Sequence, residues 1–270
     1  MPGRPVTLYG PIWHGLDTVE PLTAEHCKTL VSEGVSWVAR YTRPDGVVLE
    51  RPNASGGDWA GCWSLSVEES RTILDSGLML LPLQFAAWSK YGVTQESGHR
   101  LGSALRRCAR LLSIPPGVHL WPDYEGGTVQ RAGARSGKVA LEALAAEATR
   151  DGHHCGLYHS VPHPLTGSML WGLRGVTAYW AAANQVPAPL PRENTIRQRL
   201  LRAGYRNHEH PRWCGELGRD CPVPCGTDDL KARCPLRPDL WCLIPRGIPG
   251  HDPDVLRPDC LGEMPSLWAA

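Results

Sequence analysis

The chain has 270 residues, enough for one barrel domain without requiring a second. Its 42% hydrophobic and 20% charged residues are ordinary for a globular protein. A net charge of +1 supplies no field to draw nucleic acid or an anionic membrane, and no apolar run of about 18 residues is present to span a bilayer.

Aromatic usage is lopsided, with 11 Trp and 7 Tyr against 1 Phe. Trp and Tyr combine a flat apolar face with a polar edge, the kind of surface on which sugar rings stack. The opening Met1-Pro2-Gly3-Arg4-Pro5 lacks the apolar core of a secretory signal. Action outside the cell of origin would therefore need another export route or association with a virion.

The first apolar segment, about Val6 to Leu16, ends in Gly15-Leu16-Asp17-Thr18. A helix is expected from Ala24 to Glu33, with Thr23 as N-cap and Gly34 beyond its end. Val35 to Tyr41 is rich in β-branched and aromatic residues and reads as a second strand. After a Gly/Pro/Asn-rich loop over 44–61, Ser66-Val67-Glu68-Glu69 matches a capping box opening a helix to Ser76. Leu78 to Phe85 is almost continuously apolar, as a parallel strand covered on both faces should be.

Thr94 is the expected cap of a long helix to Leu112, with Leu101, Ala104, Leu105, Cys108, Leu111 and Leu112 at helical spacing. Val118 to Gly126 is the fourth strand and its exit. Lys138 to Arg150 follows as a helix, then His153 to Ser160 and Val176 to Ala182 as fifth and sixth strands. Strand–helix alternation of this kind implies parallel pairing through right-handed crossovers, closed or open. No GxGxxG or GxxxxGK[ST] follows a strand, which argues against nucleotide-binding folds.

Beyond Pro187 the texture turns Pro-, Arg- and Cys-rich. The expected division is a barrel over residues 1–210 and an irregular extension over 211–270, packed on the barrel or on a protein partner. Cys214, Cys221, Cys225, Cys234, Cys242 and Cys260 fall in that extension. They are open to three readings: disulfides, a zinc set completed by His208 or His210, or free thiols. His153, His154, His159 and His163 near the fifth strand read as loop histidines, with metal binding as the alternative.

In a parallel barrel the carboxyl ends of the strands face the working site. Asp17 closes the first strand, and Asp123 and Glu125 close the fourth. Residues two apart on a strand share a side, roughly 6.5–7 Å apart. Two close carboxylates do not ionise equally, so one keeps a proton while the other stays charged. Glycosidic cleavage uses that pairing. A capping role for Asp17 and ion pairing for the other two is the plainer alternative. A Ser/His/Asp hydrolase is a poor fit, since no GxSxG elbow occurs.

The segment Gly15 to Thr23, Val38-Ala39-Arg40-Tyr41, Leu65 to Glu69, Asp123-Tyr124-Glu125, Gly156-Leu157-Tyr158-His159 and Ala178 to Ala182 together resemble the DUF1906 glycoside-hydrolase-like family. That family is similar to the family-25 lysozymes, and the match runs over about 10–185. The resemblance implies a TIM-type (β/α) barrel, irregular in its last strands. It implies an acid role for Glu125, support from Asp123 and Asp17, and a peptidoglycan-type or related glycan as substrate, with no cofactor or metal. Arg40, Tyr41, Trp121, Tyr124, Tyr158, Trp180 and Asn184 are the expected glycan contacts, with a role as core aromatics equally open for Trp121, Tyr124, Tyr158 and Trp180. One departure is plain: no acidic residue follows Tyr179-Trp180, where Asn184 is the nearest polar group. Asp228 or Asp229 is the candidate acid for the family's last strand. The alternative function is a non-catalytic glycan-binding or structural barrel, for example in a phage virion or secretion apparatus.

Overall fold

A computed structural model describes residues 3–7, 13–18, 21–32, 35–52, 64–85, 87–160, 164–165, 169–170, 172–182, 240–242, 251–256 and 266–270. The strands are β1 (Arg4–Thr7), β2 (Trp13–Thr18), β3 (Trp37–Thr42), β4 (Met79–Gln84), β5 (His119–Tyr124), β6 (His154–Ser160), β7 (Ala178–Ala182), β8 (Leu240–Cys242), β9 (His251–Leu256) and β10 (Ser266–Ala269). The helices are α1 (Ala24–Ser32), α2 (Val67–Asp75), α3 (Trp88–Tyr91), α4 (Gln95–Leu112), α5 (Gly127–Arg131) and α6 (Ala134–Ala148).

All these strands belong to one sheet, in the order β1-β10-β4-β3-β2-β9-β8-β7-β6-β5, and the sheet curls until β5 also pairs with β4. The class is mixed α/β and barrel-like, which agrees with the sequence at that level. It is not a uniform parallel repeat, because β9 runs antiparallel to both β2 and β8. The β4–β5 seam is short: Leu83 pairs with Trp121 and Gln84 with Pro122. Pro82 brings no N–H to it, and a ladder missing a donor is shorter. Above Met79 on β4, the antiparallel β10 pairs Trp268 with Leu80.

The period-two alternation of the strands separates two cores. Trp37, Ala39, Tyr41, Leu81, Leu83, Trp121, Tyr158 and Trp180 form the cluster enclosed by the curled sheet. Val38, Leu80, Leu120, Tyr124 and Leu157, their sequence neighbours, pack against α2, α4 and α6 on the outside. Gly156 sits where Trp121 crosses β6: a Cβ there would meet the indole at 2.5 Å, so only glycine leaves room for the ring.

Several local expectations are met and several shift. Thr23 Oγ1 accepts from the His26 amide at the start of α1, and Thr94 forms a full capping box with Ser97 on α4. Ser66 accepts from the Glu69 amide. The Glu69 carboxylate does not return the bond, however, because it is taken by Arg40 and the Leu22 amide. The helix expected from Lys138 starts at Ala134 and carries no side-chain cap. Strand β1 and the short helices α3 and α5 have too few residues to show periodicity in the sequence. β8, β9 and β10 lie within 211–270 and pair into the same sheet as the preceding strands. The candidate metal residues His208 and His210, the acids Asp228 and Asp229, and Asn184 lie outside the described residues.

Candidate functional site

Asp17 lies in β2 in register with Ala39 of β3, so it projects into the curled sheet beside Tyr41. The phenolic hydroxyl of Tyr41 donates to Asp17 Oδ2 at 3.0 Å. On β5, Asp123 is two residues beyond Trp121 and pairs with Tyr158, both on the inner face. Asp17 and Asp123 are each only 5% exposed. Glu125 follows the end of β5 and is half-buried, so of the three acids it is the one reached most readily from solvent.

The tyrosine reports how close the acids are. Burial pushes its phenol well above the usual range, and the negative charges of Asp17, Asp123 and Glu125 all push it the same way. Tyr41 therefore stays a neutral donor beside the three acids. Carboxylates from β2 and from the end of β5 thus act on one side chain, an arrangement able to hold a cationic centre or deliver a proton.

The floor beneath is aromatic. Trp180 stands edge-on to Trp37 and Trp121, each at a centroid distance of 6.2 Å, and to Tyr158 at 4.6 Å. Trp121 and Trp180 are fully buried and Tyr158 nearly so. Of the expected glycan contacts, Trp121 and Trp180 thus lie under the acids as packed supports rather than as open platforms. Phe85, half-buried, stacks on Tyr41 at 4.5 Å with planes 19° apart.

Arg40 and Tyr124 sit on the other face of their strands. Arg40 is fully buried; its Nε and Nη2 donate to Glu69 at 2.6 and 3.1 Å, and Nη1 donates to the Thr18 carbonyl at 2.6 Å. The Leu22 amide donates to the same carboxylate at 2.9 Å. This ion pair thus holds both the Thr18 carbonyl and the Leu22 amide from the helix side. Tyr124 packs edge-on to Trp88 at 5.6 Å, and burial raises its phenol's pKa well above the usual value. Strand parity accounts for the placement of both, since neighbours of inward residues point outward.

Sequence reasoning missed Glu69, Phe85 and Trp88. Glu69 was hidden by a capping pattern that its position also satisfies. Trp88 belongs to a single helical turn, and its indole N–H donates to the Asp123 carbonyl at 2.7 Å. No periodic signal marks either contact.

No protein-family model matches the chain, and no curated protein matches its sequence. Solved structures do align over almost its whole length. An uncharacterised protein of B. stearothermophilus aligns at TM-score 0.56 and 14% identity, covering 92% of this chain and 98% of its own. The Tat-secreted protein Rv2525c of Mycobacterium tuberculosis, solved in complex with HEPES, aligns at TM-score 0.50 and 13% identity, covering 93% and 98%. A family-25 glycosyl hydrolase of Streptococcus pneumoniae aligns at TM-score 0.47 and 13% identity, covering 91% and 87%. The first two establish a shared fold. Among the described residues no helix is long and apolar enough to cross a membrane.

Proposed function

We propose that the chain is a glycoside hydrolase of the DUF1906 type acting on a peptidoglycan-type or related glycan. The observation that carries this reading is the placement of Tyr41, hydrogen-bonded to Asp17 and in the field of Asp123 and Glu125. Glu125, the most accessible acid, gives its proton to the departing glycosidic oxygen as the bond to the anomeric carbon breaks. Asp123 and Asp17 stabilise the positive charge that builds on the sugar. Water then adds its hydroxyl to the anomeric carbon, and its remaining proton restores the Glu125 carboxyl. Tyr41 keeps its proton throughout and holds Asp17 in place. The Arg40–Glu69 pair lies on the helix side of β3, on the opposite face of the strand from Tyr41.

A second reading rests on the near-complete burial of Asp17 and Asp123. Under it the acids are structural, and the domain binds glycan or serves in an assembly such as a virion without turnover. Clearing of a purified peptidoglycan suspension tests the two. The hydrolase clears it, and Glu125→Gln stops clearing while still co-sedimenting with the polymer. Co-sedimentation by the wild-type protein without clearing would favour the binder.

A further inference from the structure

We infer that Trp88 is a positioning residue for the acidic exit of β5, its indole N–H fixing the Asp123 carbonyl and with it the placement of Glu125 relative to Tyr41. The inference rests on the reading of Asp123 and Glu125 as functional acids. Three observations support it. The β4–β5 ladder ends at the Gln84–Pro122 pair, so the Asp123 carbonyl lies one step past the last strand partner on that side. Trp88 Nε1 supplies the donor there, at 2.7 Å. Trp88 itself is fully buried and stands edge-on to Tyr124, so the ring has little freedom to release the carbonyl.

The same stretch of chain reaches the other half of the site. Phe85, the residue after β4, stacks on Tyr41, which holds Asp17. The exit of β4 thus touches the donor of one acid through Phe85 and the backbone of another through Trp88. Between them these contacts set the separation between the Asp17 side and the Glu125 side. Small displacements of reacting groups are costly in rate, about 100-fold for roughly 1 Å.

Replacing Trp88 with 3-benzothienylalanine keeps the ring shape and removes the N–H; Trp88→Phe is the genetically encoded companion. Carboxyl carbon NMR titration of Asp123 and Glu125 is read together with kcat and KM on peptidoglycan fragments. The expected result is a shifted midpoint for Asp123 or Glu125, with kcat lowered about 10- to 100-fold and KM unchanged, in a variant whose thermal transition stays near wild type. Unchanged titrations in the folded benzothienyl variant would overturn the assignment. If the wild-type protein cleaves no glycan, the hydrolase reading fails by itself, and the titrations still decide whether Trp88 positions the acids.

Discussion

Arg40 and Tyr41 are adjacent in sequence and lie on opposite faces of β3: the guanidinium clasps Glu69 on the helix side, and the phenol holds Asp17 inside the sheet. One strand therefore braces β2 twice. Arg40 grips the Thr18 carbonyl from behind while Tyr41 grips the Asp17 side chain from within.

The Arg40–Glu69 pair is buried on both sides, so removing one partner leaves a charge without compensation. Glu69→Gln and Arg40→Met are each expected to destabilise the protein by about 3–5 kcal/mol. The double replacement by apolar residues should cost less than the sum of the two. Urea unfolding of the singles and the double checks this, and strict additivity would contradict it.

Tyr41 offers a direct readout of the acids around it. Removing the Asp17 charge should lower the Tyr41 titration midpoint most, Asp123→Asn next and Glu125→Gln least, following the size of each push on the phenol. The ring carbon of Tyr41, followed by NMR against pH in Asp17→Asn and the other two variants, gives the order. Equal or absent shifts would mean that the three acids do not share its neighbourhood.

Gly156→Ala tests the packed floor. The added methyl must displace the Trp121 indole, which already rests against Trp180. A loss of about 1–3 kcal/mol is expected, together with a change in tryptophan fluorescence, since the enclosed rings have little space to move into. A variant as stable as wild type, with an unchanged spectrum, would show that the ring lies elsewhere.

Much of this was legible in the sequence because strands announce themselves by composition. Asp17, Asp123 and Glu125 fall at or near strand ends, and β3 to β6 lie close to where β-branched, aromatic and apolar runs place them. What the sequence hid was parity. A run such as Arg40-Tyr41 or Asp123-Tyr124 reads as a single cluster of functional side chains, yet alternate members face different cores. The antiparallel β9 was also hidden, because His251 to Leu256 carries two aspartates and a proline.

His119 makes stability depend on pH. Its Nδ1 accepts from the Ser266 amide of β10 and its Nε2 bonds Thr177 Oγ1, so it serves in its neutral form. Burial, and then the neighbouring His154, push its pKa from 6.5 down to about 3. Between those values the unfolded chain takes up a proton that the folded protein refuses. Stability should therefore fall as pH drops from 6.5 towards 3, by at most on the order of 4 kcal/mol from this group. His153, also lowered by burial, adds to the loss with the same sign. Chemical unfolding at several pH values should give a flatter profile for His119→Gln than for wild type.

The hydrolytic reading is tested most directly by mass spectrometry of the soluble fragments released from purified peptidoglycan by the wild-type protein and by Glu125→Gln. Wild type should release disaccharide-containing fragments with a new reducing end and one water added per bond cut, and Glu125→Gln should release at least about 100-fold less. Fragments released equally by both proteins, or by neither, would contradict the assignment of Glu125 as the proton donor.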